Sequence, residues 1–445
     1  MAPEPDRKTR RRQSFAEWLP FYYGWIVIAV AFLTVSISVN TRSAFSLLFP
    51  PILTEMQWDR GTTAAAFSIG FMTSAFVAPL VGMALDRVGP RVVMPVAGII
   101  VATGLWLTAH VNSAVELYVS YGVLVVGASI SISYMGHGAF LPNWFVARRG
   151  LALGIAFSGA GIGAVVLFPW LQHLIDGDGG WRSACLAMAV LVVVVVVPLN
   201  AIFQRYHPRE VGLHADGNSA ATAAAQDDRN VVDSAWVATE WTLARAIRTA
   251  RFWWFFWGCC GALFAWYAVQ IHQTRYLLDM GYSSATAAWA LGLVPFCGLL
   301  GQIAIGHFSD QYGREWAWTL VCAGFAICYA ALMAMPYLQA DWLLLVIVGA
   351  QGLLGYGLPI LISAVPAELF AGRHFGAVFG AISVSAALGP SAGPWLTGIM
   401  FDHFGSYEHA FALGIVICIA SSICVWMSAP RKVRLVAGQV GRQRA

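Results

Sequence analysis

The chain has 445 residues, 59% of them hydrophobic and only 11% charged, with a formal net charge of +4. Soluble domains carry about 25% charged residues, so a water-soluble globule is excluded, and a short basic tail on such a chain does not make a nucleic-acid binder. The eight cysteines all lie in apolar segments, where they suit small apolar fillers better than a disulfide or metal framework.

Apolar runs of 18 or more residues recur along the chain, each long enough to cross roughly 30 Å of hydrocarbon at about 1.5 Å per helical residue. In chain order the pattern predicts twelve membrane helices, over 22–49, 62–85, 92–110, 114–140, 150–174, 181–203, 252–278, 284–308, 316–335, 341–367, 374–400 and 408–428. Stretches such as ACLAMAVLVVVVVVPLNAIF (184–203) do not alternate as barrel strands do. The first helix is too long for a cleaved leader, and no small-residue cleavage site closes it. The fold expected is an all-α polytopic membrane protein. Its parts are a basic tail (1–21), an N-terminal six-helix bundle (22–205), a polar linker (206–250), a C-terminal six-helix bundle (251–429) and a second tail (430–445).

Of the 26 Lys and Arg residues, 22 fall before the first span, in alternate loops, in the linker or after residue 430. Arg60 and Arg182 fall on the other side, and Arg42 and Arg275 lie within spans. The positive-inside rule then places both termini and the linker in the cytoplasm, with the chain in the cytoplasmic (inner) membrane. The RKTRRR head (7–12) reads as part of this topology signal.

A duplication organises the chain. GMALDRVGPR (82–91) follows the second span and GHFSDQYGRE (306–315) follows the eighth, so Gly82/Gly306, Asp86/Asp310 and Gly89/Gly313 share an offset of 224 residues. Pro142/Pro366 and Arg149/Arg373 keep it. Two repeated bundles joined by a cytoplasmic loop suit alternating access around a midplane site.

These motifs resemble the major facilitator superfamily. Its loop pattern G-x-x-x-D-x-x-G-x-[RK] is matched by Gly82, Asp86, Gly89 and Arg91, and its second copy by Gly306, Asp310 and Gly313, with Glu315 in place of the basic residue. YYGWIVIAVAF (22–32) and NWFVARRGLALGIAFSGAGIG (143–163) look like signatures of the monocarboxylate transporter and oxalate/formate antiporter branch, although the leading acidic residue of the first is missing. The resemblance implies uptake or exchange of small organic anions, often with a proton, by a rocker-switch motion. The eighth helix lacks the Asp and Arg of eukaryotic monocarboxylate transporters, and the eleventh lacks the lysine of the oxalate branch. A single substrate charge is therefore the simpler match.

Arg42 is the sharpest candidate. A guanidinium inside a span needs water, a carboxylate or an anionic ligand, and its planar fork matches a carboxylate; the alternative is a side chain reaching for the outer headgroups. The resemblance places a functional basic residue of the monocarboxylate transporters here. On the seventh helix, His272, Arg275 and Asp279 fall on one face, either as a vestibule that attracts anions and relays a proton through His272 or Asp279, or as a structural ion pair. Tyr23, Phe45, Tyr134, Trp266, Tyr267, Tyr356 and Phe379 are further candidates to line a substrate cavity. His137 near the inner end of the fourth helix reads first as a packing residue. Asp86, Arg91, Arg148, Arg149, Asp310 and Arg373 sit at helix boundaries, where they serve either as conformational gates or as topology signals and caps.

The function expected is secondary transport of a small monocarboxylate with a proton. Organic-anion exchange, export of amphipathic compounds and a transport-like sensor are the alternatives. Expected partners are the anion, the proton and membrane lipids, with no cofactor and no obligate protein partner. The metalloprotease motif HExxH is missing from the sequence.

Overall fold

The computed structural model describes residues 20–58, 60–218, 229–338 and 340–442; the RKTRRR head, the middle of the linker and the last three residues lie outside them. Twelve helices are long and apolar enough to cross a membrane. They are α1 Gly24–Met56, α2 Ala65–Val88, α3 Pro90–Thr108, α4 Ala114–Asn143, α5 Arg149–Asp176, α6 Gly180–Phe203, α7 Ala250–Asp279, α8 Gly292–Tyr312, α9 Arg314–Leu338, α10 Trp342–Leu369, α11 Phe375–Phe404 and α12 Glu408–Lys432. Each overlaps one predicted span.

Local chemistry sets the boundaries. Gly89 and Gly313 turn the chain between α2 and α3 and between α8 and α9 with φ of +74° and +113°, a region that side chains with a Cβ rarely adopt. Pro90 then opens α3 at a position where its missing N–H costs nothing. Thr249 caps the start of α7 by accepting from the Phe252 N–H.

Two helices are interrupted at matching places. α4 widens into π turns over Tyr118–Gly127, tightens to a 3-10 turn over Ile130–Ile132 and resumes at Tyr134. α10 repeats this with a π segment at Ala350–Leu354 and a 3-10 turn at Gly355–Gly357. Gly122, Gly127, Gly352 and Gly355 lie in or beside these breaks, where weak helix propensity lets backbone geometry change at low cost.

Buried apolar side chains form two clusters, one drawn mainly from α1–α6 and the other mainly from α7–α12. Between the two halves run two seams of small residues. Along the first, Gly82 and Ala78 of α2 lie against Gly376 and Gly380 of α11; along the second, Gly150 and Gly154 of α5 lie against Gly306 and Gln302 of α8. Added Cβ atoms there would strike the facing backbone, so glycine permits the close helix approach. Both seams lie toward the end that carries the linker and tails. Toward the far end, a Cβ on Gly292 of α8 would meet nothing within 4 Å.

Candidate functional site

Arg42 lies in the last turn of the first segment of α1, which ends at Ser43 before the chain restarts at Phe45. That turn is held by Tyr121 of α4, whose hydroxyl donates to the Thr41 carbonyl at 3.0 Å and to the Arg42 carbonyl at 3.3 Å. The guanidinium carbon sits 5.3 Å from the ring centre of Phe71 on α2, a cation–π contact that holds charge without neutralising it. Among the described residues Arg42 has no carboxylate partner. The group is half-buried.

Around this charge the structure gathers aromatic groups from both halves. Tyr134, where α4 resumes, interacts electrostatically with Arg42 and with Tyr267 of α7, and lies beside Gln302 of α8. Tyr267 meets Phe71 edge-on across the interface at 6.3 Å. Tyr356, within the α10 break, packs on Trp266 at 4.9 Å and lies within electrostatic reach of Tyr134 and Tyr267. Of the predicted cavity residues, Arg42, Tyr134, Trp266, Tyr267 and Tyr356 therefore come together, and Phe71 and Gln302 join them.

Three predicted cavity residues are placed elsewhere. Tyr23 lies at the linker end of α1, about 28 Å along the helix from Arg42; its hydroxyl donates to the Phe203 carbonyl and its ring packs on Trp144. Phe45 is buried one layer behind, stacked on Phe67 at 5.4 Å and against Tyr121 at 4.9 Å. Phe379 is buried in the linker-end closure, beside Phe375 of α11 and facing Gly138 of α4. Sequence reading had no means of separating these rings, because aromatic residues pack cores and line cavities alike.

The His272, Arg275 and Asp279 group divides. Arg275 pairs with Asp279 at 3.1 Å and its side chain is 72% exposed. With Ile271 it continues the face that carries Tyr267, while other faces of α7 pack on α11 and α12. His272 is turned into its own half, with Nε2 2.9 Å from the Pro394 carbonyl oxygen and Nδ1 3.3 Å from the Tyr407 hydroxyl.

At the linker end each loop carboxylate caps a helix of the opposite half. Asp86 accepts from the Gly376 and Ala377 N–H groups at 2.7 and 2.8 Å, and from the Tyr206 hydroxyl at 2.8 Å. Asp310 accepts from the Gly150 and Leu151 N–H groups, both at 2.9 Å. Arg314, also buried, donates to Asp310 at 2.8 Å and to Glu368 at 2.7 Å, and Arg149 approaches Glu368 to 3.7 Å. Burial and the neighbouring Asp86 carboxylate push the Tyr206 phenol well above its ordinary range, so it keeps its proton and its donor role.

Arg91 does not join this network. It donates to the Ala201 carbonyl at 2.7 Å and ties α3 to the end of α6 within one half. Arg148 is exposed at the start of α5, and Arg373 lines a cleft of about 420 Å³ with Asp86, Arg87 and His374. Glu315, noted for breaking the loop pattern, accepts from Arg431 and fastens the end of α12. Arg314, Glu368 and Tyr206 were missed. Arg314 adjoins the second loop motif and Glu368 follows Pro366 of the duplication by two residues, and those positions were the available signals.

The two loop motifs, each capping the opposite half, have a counterpart in sequence comparison: residues 28–358 and 277–444 match the Major Facilitator Superfamily. The chain belongs to that superfamily. Monocarboxylate transporter 13 of Rattus norvegicus is 24% identical over 401 residues, covering 90% of this chain and 87% of that protein. Monocarboxylate transporter 12 of Homo sapiens is 26% identical over 427 residues, covering 90% and 79%. The fold is similar to the proton:xylose symporter XylE (TM-score 0.70, 15% identity, 91% of this chain and 95% of that chain). It is also similar to the E. coli fucose:proton symporter FucP (TM-score 0.66, 14% identity, 91% and 98%). This superfamily member is a multi-pass membrane protein and a secondary-active transporter, not an enzyme.

Proposed function

We propose that this superfamily member carries a small monocarboxylate across the cytoplasmic membrane together with a proton, with both termini in the cytoplasm. The observation that carries the reading is Arg42, a half-buried guanidinium that faces groups of both halves and has no carboxylate partner among the described residues. A cation kept from bulk water without a counter-ion favours an anionic ligand. One such charge balances one carboxylate, and Phe71, Trp266, Tyr267 and Tyr356 offer apolar surface to the rest of the molecule. Similarity along most of the chain to proteins named monocarboxylate transporters supports the same class.

In this reading Arg275 at the far mouth draws the anion toward Arg42. Asp86, Asp310 and the Arg149–Glu368 pair hold the linker end shut and let go as that end opens, while Arg314 braces Asp310 and Glu368 within their own half. The proton travels either with the carboxylic acid or on a side chain.

Purified protein in liposomes under imposed pH and voltage gradients provides the test. Saturable, pH-driven uptake of monocarboxylates over dicarboxylates, lost with Arg42→Gln, is expected. Uptake unchanged by that substitution removes the role of Arg42, and failure across a broad monocarboxylate panel removes the substrate class. Counterflow that needs anion on both sides marks exchange.

A further inference from the structure

One turn beyond Tyr134 toward the linker end, α4 carries a second polar group that the substrate reading leaves without a task. His137 is fully buried. Its Nδ1 lies 2.9 Å from the Ser133 carbonyl oxygen, and its Nε2 is buried without a hydrogen-bond partner. A carbonyl oxygen only accepts, so Nδ1 bears the hydrogen and Nε2 is left with a bare lone pair. Satisfied packing would give that atom a protein partner.

The location gives the lone pair its significance. The next residue, Gly138, faces Ser363 of α10 and Phe379 of α11, both in the opposite half. The turn that carries His137, Tyr134–Gly138, thus packs on Leu358–Leu369 of the opposite half, on the linker side of the Arg42 group, with the His137 ring beside Phe140 of its own half. Several titratable or charged groups lie on the elements around this turn. Asp86 and Arg87 are on α2, Arg149 is on α5, Glu368 is on α10 and Tyr206 is in the linker; the only charged residue of the first segment of α1 is the distant Arg42, and Phe375–Ile382 of α11 has none. The two carboxylates are engaged, Asp86 by Tyr206 and two amides and Glu368 by Arg314 and Arg149. An imidazolium here would be a cation sealed away from water with no anion to meet it.

We infer that His137 is a proton-binding site of the linker-end gate: the halves close over it only while Nε2 is unprotonated, and a proton taken up from the linker side holds that end open. When the seam parts, Nε2 gains water and binds a proton as an ordinary imidazole does, near pH ~6.5. The proton must leave before closure. The open form binds one proton more than the closed form, so the closed-to-open ratio falls about tenfold per pH unit below that value and is flat above it. The inference goes beyond the substrate reading and rests only on movement of the two halves.

The test follows distances between labels on Val88→Cys of α2 and Ala371→Cys before α11 in the full chain in nanodiscs, with the partly buried Cys297 and Cys424 replaced by Ser. Wild-type His137 should show the one-proton loss of the closed form between pH 7 and 5.5. His137→Asn, which keeps a donor for Ser133, should be flat over that range and retain only the acid response of the carboxylates below about pH 5. A wild type without pH dependence, or His137→Asn with an unchanged slope, overturns the inference. If His137→Asn does not fold, His137→Gln carries the same expectation. In wild-type protein His137 must also become reactive to diethyl pyrocarbonate as the open fraction rises, and protection at every open fraction is equally fatal. No substrate enters these measurements, so the monocarboxylate reading and this one fail separately.

Discussion

At the scale of single residues, the strongest contrast is between a cation without a counter-ion among the described residues and cations that are fully engaged. Replacing Arg42 by Gln removes a charged hydrogen-bond donor worth about 1.5–3 kcal/mol to an anionic ligand. Uptake efficiency should fall roughly 10- to 100-fold, with Arg42→Lys intermediate because charge survives but the planar fork does not; initial uptake rates against substrate concentration check both. Arg314→Met tests the opposite case. It leaves Asp310 and Glu368 facing each other in a buried site, and losing one partner of a buried ion pair costs about 3–5 kcal/mol. Lower thermal stability in detergent and a shift toward the linker-open form are expected, and the double change Arg314→Met with Glu368→Gln should recover part of the loss. Arg42 was legible in the sequence because a lone charge interrupts an apolar run. Glu368 and Tyr206 were not, since their partners lie 54 and 120 residues away and no local pattern records such pairings.

At the scale of helices, the length and apolarity of each span were readable because hydrocarbon thickness fixes both. The interruptions in α4 and α10 were not, because a run of apolar residues gives no signal when its turns widen from α to π. Yet those breaks place Tyr134 and Tyr356. Which helices the glycine seams join was not legible either. Gly82→Leu puts a branched side chain against the Gly376 backbone, and Gly306→Leu does the same against Gly150. Each should hold the linker end apart, raising reactivity of cysteines placed on the inner seam faces at least several-fold. The same substitution at Gly292, which faces open space, should leave that reactivity unchanged.

For the whole molecule, the 224-residue offset announced two related halves, and its matching loop motifs became crosswise caps in which each half stops a helix of the other. The symmetry ends there. Across one seam Asp310 accepts two amides and Arg149 approaches Glu368, with Arg314 bracing Asp310 and Glu368 from within their own half; across the other Asp86 accepts two amides, braced by the Tyr206 hydroxyl. The additional Arg149–Glu368 pair leads us to expect that the α2–α11 side yields first, with the halves swinging about the α5–α8 line. Hydrogen exchange reads this directly, since the Gly376 and Ala377 amides should trade deuterium sooner than those of Gly150 and Leu151. Such a swing would open a lopsided mouth at the linker end, beside α2 and α11.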